Sequence, residues 1–288
     1  MSAGPVDLEH ADGAYLTRDD APLAARLDAR LDAVAGLRYQ HLSPAANLHM
    51  SVRLEALARF RDGRDPRPGL SACLARAAAL ALEDDPLFAC LFDGRARLVR
   101  AERPALGISV DTGDAARFVV LPEALGLGLD ALDARIREAA ARFRSEAGPS
   151  FRASPPGPAP RGAHRRRLAR ILSQEARERF GYLLPGALEA RLAAYVAGQG
   201  HFAIHNLGPL RVDEFKGFLR RPAVAGLWAL TAQARVVRGA DGRFAEERRL
   251  PLVLVYSQDL APMDRACAFL QGIVRRLEQP AALAGGAA

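Results

Sequence analysis

Apolar and polar residues alternate along residues 47–54, with Leu48, Met50, Val52 and Leu54 set against Asn47, His49, Ser51 and Arg53. That period of two predicts a half-buried strand. Leu70 to Leu82 is an Ala/Leu helix, halted before Asp85-Pro86 because the residue preceding proline resists the helical region. Leu98 to Val110 and Arg117 to Leu121 read as strands, and Leu129 to Phe143 as an amphipathic helix. Helical segments are expected at Arg165 to Phe180 and Gly186 to Ala197, separated by Leu184-Pro185-Gly186. Strand character returns at His201 to His205. It continues through Ala225 to Val237 and Arg243 to Tyr256, which the hairpin signal Ala240-Asp241-Gly242 joins. Asp264 to Leu277 is a last helix, followed by Pro280 and a Gly/Ala tail.

The same pattern divides the chain. Residues 1–36 are polar and Ala-rich, with Leu23, Leu27, Leu31 and Val34 at helical spacing, and form an N-terminal helical extension. Residues 37–147 and 199–280 are the two parts of one core. Between them, 148–198 is a linker and helical insertion whose start holds Pro149, Pro155, Pro156, Pro158 and Pro160. Residues 281–288 read as a flexible tail. Mixed strands and helices without an internal repeat predict an α/β fold, a two-layer sandwich of mixed β-sheet and covering helices.

Composition narrows the function classes. Of 288 residues, 50% are hydrophobic and 25% charged, enough for a full core and too ordered a balance for a disordered or fibrous chain. No run of 18 apolar residues exists to span a membrane. The opening Met1 to Pro5 runs into Asp7, Glu9 and Asp12 without an apolar stretch, so no secretory signal and a cytoplasmic setting are expected. Cys73, Cys90 and Cys267 are odd in number and widely spaced, which reads as reduced core thiols.

The net charge of +7 is almost all arginine, Lys216 being the single lysine, and this looks like coding bias more than a nucleic-acid footprint. The dense run Arg161 to Arg170 contains His164-Arg165-Arg166-Arg167. It is either a solvated helix face or a contact for cofactor phosphates, an acidic surface or RNA. Without interleaved aromatics it is no stacking platform, and no nucleic-acid partner is expected. His201 and His205 share a strand face but stand about 13 Å apart, too far to chelate one metal. His10, His41, His49 and His164 have no ligand-like spacing, so no metal is expected. A phosphate loop, a dinucleotide fingerprint and a nucleophile elbow are all missing.

Several segments, in order, resemble one family. Leu80 to Leu87 resembles a helix end in the catalytic core of the dihydrolipoamide acyltransferases of 2-oxoacid dehydrogenase complexes. Leu106-Gly107-Ile108-Ser109-Val110-Asp111-Thr112 is similar to that family's Gly-Ile-Ala-Val-Asp-Thr strand. Gly200-His201-Phe202-Ala203-Ile204-His205-Asn206-Leu207-Gly208 is similar to its Gly-Thr-Phe-Thr-Ile-Ser-Asn-Leu-Gly segment. Phe215, Pro222, Val253 to Tyr256 and Ala268 to Leu270 keep the frame, so the likeness spans about residues 37 to 280. The resemblance implies the chloramphenicol acetyltransferase-like fold and a homotrimer with each active site between neighbours, one side of a channel admitting coenzyme A.

The same resemblance shows where this chain departs. The family removes a thiol proton with the histidine of Asp-His-Arg-x-x-x-Asp-Gly. Here the matching positions are Gln258, Pro262 and Met263, and an amide cannot accept that proton. The family's oxyanion-binding serine is replaced by His205. The expectation is a rebuilt site with His205 as base and Gln258 as amide donor to the oxyanion. The expected substrate contacts are Asn206, Ser257, Asp259 and Asp111, and Arg165, Arg166 and Arg167 of the helical insertion are expected to face cofactor phosphates.

Lys216 lies within the core match, so the chain carries no lipoyl group of its own, and acyl groups must arrive on coenzyme A, a carrier protein or a partner's lipoyl arm. The expected activity is acyl transfer from a coenzyme A or carrier-protein thioester to a small acceptor, with an acyl carrier protein or dehydrogenase-complex subunits as partners. Two alternatives stand beside it: a catalytically inactive trimeric scaffold, and a repurposed channel acting on a bound ligand without acyl transfer.

Overall fold

The computed structural model describes residues 45–92, 98–111, 116–146, 187–217, 219, 222–238 and 242–285. The opening alternation becomes β1 (Ala45–Arg53). Leu54, expected on that strand, instead begins α1 (Leu54–Asp62), which buries only Leu57 and carries Glu55 in its first turn and Arg59 and Arg61 in its last, matching its dipole. A single apolar residue at a strand end cannot signal which period follows it.

Next comes α2 (Leu70–Asp84), whose small side chains Ala72, Ala75, Ala77, Ala78, Ala79 and Ala81 are all buried, so it runs through the middle of the core. Its N-terminal Gly69 N–H donates to Asp133 Oδ1 at 2.8 Å, and the chain turns away at Asp85-Pro86 as expected.

The short strands β2 (Leu91–Phe92) and β3 (Leu98–Val99) form a separate ribbon. The strand expected over Leu98 to Val110 is therefore two, because Pro104 cannot donate to a ladder, and β4 (Leu106–Asp111) starts after it. There follow β5 (Ala116–Leu121), α3 (Leu129–Glu146), α4 (Ala187–Gln199) and β6 (Phe202–Asn206). The strand expected from Ala225 to Val237 is likewise split, into β7 (Ala225–Ala229) and β8 (Gln233–Arg238). They pair in succession with the two halves of the long β9 (Phe244–Ser257), and the one-residue shift between their registers makes Leu230 to Ala232 a bulge. The final helix is α5 (Met263–Glu278). The tail read as flexible opens with α6 (Ala281–Ala284), and Leu283 on it is fully buried.

The main sheet runs β1-β9-β7-β6-β4-β5, with β8 added to the outer half of β9. The β4–β6 and β6–β7 pairs are parallel and the others antiparallel, so the expected mixed sheet is present. Helices α2, α3 and α5 join one face of it in the main core, with Leu106, Ile108, Phe202, Ile204, Leu227, Leu252, Leu254 and Tyr256. Helix α5 is tied to the end of α2 by Arg265 to Asp85 and Arg276 to Asp84. The buried Arg76 of α2 donates to the carbonyls of Leu125 and Gly285, which fixes α6 and the residue after it.

The opposite sheet face carries a smaller cluster of Leu219, Trp228, Leu230, Val253 and Val255. Tyr195 of α4 packs against it, as do Val212 and Phe215 from the β6–β7 connection. Asn47 pins that connection to β1: its Oδ1 accepts from Gly217 N–H at 2.8 Å.

Candidate functional site

Strand alternation decides what β6 presents. Phe202 and Ile204 point into the helical core and are fully buried, which leaves Ala203 and His205 on the other face. Register then places a row of side chains across that face. His205 pairs with Trp228 of β7, and Trp228 with Val253 of β9. On the other side, one step beyond the Ile108–Ile204 pair, Ser109 of β4 stands beside His205, and Ser109 pairs with Phe118 of β5.

The rings in this row touch. His205 lies flat on Trp228 with centroids 4.6 Å apart and planes at 5°, and Phe118 meets the imidazole edge-on at 5.2 Å and 87°. Phe215 also stacks on Trp228, at 5.3 Å. Gly226 makes room for this stack, since a Cβ there would sit 3.0 Å from the indole. Burial among rings lowers the His205 pKa to about 4, so the imidazole is uncharged at neutral pH. Among the described residues no hydrogen bond or ion pair reaches its ring nitrogens.

His201 has different work. Its Nδ1 accepts the Ala105 N–H at 2.9 Å, and its own backbone N–H donates to the Ala105 carbonyl at 2.8 Å, pinning β6 to the start of β4. Burial lowers its pKa as well. Between these strands Gly107 and Gly200 allow a backbone crossing. A Cβ on Gly107 would stand 1.9 Å from the Gln199 carbonyl oxygen, and Gly200 adopts φ +72°. Two glycines of the motif segments are thus explained by one contact.

The remaining expected site residues fall in separate places. Asn206 closes the turn after β6: its Oδ1 accepts from Gly208 N–H at 3.1 Å and its Nδ2 donates to Ser71 Oγ at 3.2 Å, so both of its polar ends are engaged. Ser257 is buried at the end of β9, its carbonyl accepting from Leu260 and Ala261, while Gln258 and Asp259 are exposed on the next turn. Asp111 ends β4 opposite Ala116, and its side chain lies outside the described residues. Arg165, Arg166 and Arg167 also lie outside them.

Ser257, the last residue of β9, is four residues from Val253, about 13 Å along the strand from the His205 row, and Gln258 follows it on the turn beyond. One copy of the chain does not bring His205 and Gln258 together. Among the described residues no three His, Cys, Asp or Glu side chains gather as metal ligands. Nor is any described helix long and apolar enough to cross a membrane.

Sequence reasoning missed Trp228, Phe118 and Phe215. The alternation of Gly226 and Trp228 against Leu227 was available as a signal, but only strand register shows that the indole and His205 are neighbours.

No protein-family model and no curated protein sequence matches the chain. Solved structures do. The dihydrolipoamide acetyltransferase of Azotobacter vinelandii superposes with a TM-score of 0.64 at 19% identity over 98% of this chain and 99% of that one. The fold is that of an acyltransferase core. A probable dihydrolipoamide acetyltransferase from Listeria monocytogenes gives 0.61 at 16% identity, over 93% and 94%. A truncated 2-oxoacid dehydrogenase catalytic core from Thermoplasma acidophilum gives 0.60 at 17%, over 87% and 94%. The acyltransferase-core fold thus covers nearly the whole chain, as the motif order implied, and identities this low speak for fold alone.

Proposed function

We propose that this chain moves an acyl group from a coenzyme A or carrier-protein thioester to a small acceptor, at a rebuilt site shared between neighbouring copies in a trimer. The observation that carries the reading is His205. It stands where the motif likeness puts an oxyanion-binding serine, on the sheet face opposite helices α2, α3 and α5, held by two rings and with its nitrogens unengaged among the described residues. Gln258 is the other half of the site. It is exposed at the end of β9, and a second copy can offer it to His205 where the first cannot. Ser257 and Asp259 flank Gln258, Asp111 is contributed by the end of β4, and Arg165 to Arg167 are the phosphate contacts in this scheme. The setting is cytoplasmic, and partners that deliver acyl groups are carrier proteins or dehydrogenase-complex subunits.

The replacement of the family's histidine by Gln258 also favours a second reading, a trimeric scaffold without turnover. Purified protein incubated with acetyl and longer acyl coenzyme A separates the two. Thioester binding at a hundred times its Kd adds about 2.7 kcal/mol to stability and raises the melting temperature. The transferase reading requires that shift, together with thioester loss when an acceptor is added. Neither effect with any thioester leaves the scaffold.

A further inference from the structure

We infer that the acceptor is an amine arriving as the free base, with His205 acting as an uncharged N–H donor to the oxyanion instead of taking a proton. This rests on the acyl-transfer reading above and specifies its substrate class.

The surroundings of the imidazole carry the argument. A histidine that works as a base is normally oriented by a carboxylate, which also stabilises the imidazolium once formed. Around His205 the packed elements supply Ser109 from β4, Phe118 from β5 and Trp228 from β7, none of them charged at neutral pH. Arg117 of β5 lies over the Phe143 ring of α3 instead. Tyr195 of α4 packs into the cluster around Trp228. No described carboxylate bonds to the imidazole.

With its pKa held near 4 by burial, the ring is a far weaker base than a thiolate. Removing a thiol proton with it is uphill by about four powers of ten, and a hydroxyl is harder still. Gln258 accepts no proton either. The site therefore suits a nucleophile that already has a free electron pair.

An amine meets that requirement, and the step balances without a protein base. The nitrogen lone pair attacks the thioester carbon, a C–N bond forms, and the carbonyl pair moves to oxygen. There it accepts a hydrogen bond from the protonated ring nitrogen of neutral His205. The oxyanion collapses, the C–S bond breaks with its pair on sulfur, and the ammonium proton passes to the departing thiolate. The products are an amide and a free thiol. Amines of low basicity, such as arylamines and hydroxylamines, are unprotonated at neutral pH and fit best.

The test uses the full chain with acetyl coenzyme A and three kinds of acceptor: primary amines of graded basicity, dihydrolipoamide, and a simple alcohol. Amide formation is expected, at rates at least about 100-fold above those with the thiol or alcohol, and with an acidic limb that moves with each amine's own pKa. Comparable use of the thiol, or one acidic limb common to all amines, overturns the inference while leaving acyl transfer intact. Absence of any thioester loss and of any thermal shift overturns both.

Variants add a second arm, with folding checked by melting temperature and Trp228 emission. His205→Phe should lose about 100-fold in rate, the scale of a lost oxyanion donor, and His205→Gln, which keeps an N–H, only about tenfold. Equal losses would show that the imidazole works as a base. The wild-type pH profiles decide the question even if neither variant folds.

Discussion

His205 is a side chain whose charge state the fold controls through burial among rings, with no ion pair to it among the described residues. Trp228 is the single tryptophan of the chain and lies 4.6 Å from it, so its emission reports the state of its neighbour. An imidazolium quenches indole fluorescence where a neutral ring does not. Acid titration should therefore dim Trp228 with a midpoint near 4, and His205→Gln should abolish the step. A midpoint near 6.5 would show an imidazole open to water.

The same shift has a consequence for stability. Because the folded pKa lies below the ordinary 6.5, the unfolded chain binds the proton first. Stability should thus fall as pH drops from about 6.5 to about 4 and level off below, by on the order of 3 kcal/mol from this group. Burial of His201 adds to the same trend. Melting curves across that interval check the direction, and a flat profile in the wild type or an unchanged slope in His205→Gln would contradict it.

Elements are positioned by close backbone approach as much as by apolar area. The end of α4 can lie against β4 only because Gly107 has no side chain, and Gly200 turns the chain through a left-handed conformation at the same contact. Gly107→Ala puts a methyl against a carbonyl oxygen that belongs to backbone and cannot swing aside. It should cost about 3 kcal/mol, a drop in melting temperature of roughly 6–12 °C. Gly126→Ala, with nothing within 4 Å, should stay within about 0.5 kcal/mol. Equal melting temperatures for the two variants would remove the crossing as a constraint.

This contact also shows what was legible before the structure. The Leu106-Gly107-Ile108 and Gly200-His201-Phe202 segments stood out as motifs, and the pattern located β6 to within a residue, while β4 was read only as part of a longer strand from Leu98. That they touch through their glycines is a fact of register, which no single segment carries. The breaks at Pro104 and at Leu230 to Ala232 escaped for a related reason. The apolar residues Leu230 and Ala232 carry the pattern across the second break, where β8 continues along β9 with its register shifted by one residue, and that shift is visible only in the pairing. His205 could be singled out on motif position, but its aromatic surroundings come from three other strands and loops.

At the scale of the molecule, the distance of Gln258 from the His205 row within one chain makes the proposed site a property of an assembly. Three copies of the 30.9 kDa chain would weigh about 93 kDa, and light scattering on the purified protein should return that mass or a multiple of it. A shared site makes a sharper demand. His205→Phe trimers and Gln258→Leu trimers should each be impaired, since every site in them lacks one of its two halves. After the two variants are unfolded and refolded together, subunits distribute at random. About a quarter of the interfaces then pair an intact His205 with an intact Gln258, which restores about a quarter of the wild-type rate. Recovery of that size shows that the residues act across a boundary between copies. Mixed trimers no more active than their parents would place both residues in one chain's own site or in none, and the assembly would then have to be explained without catalysis.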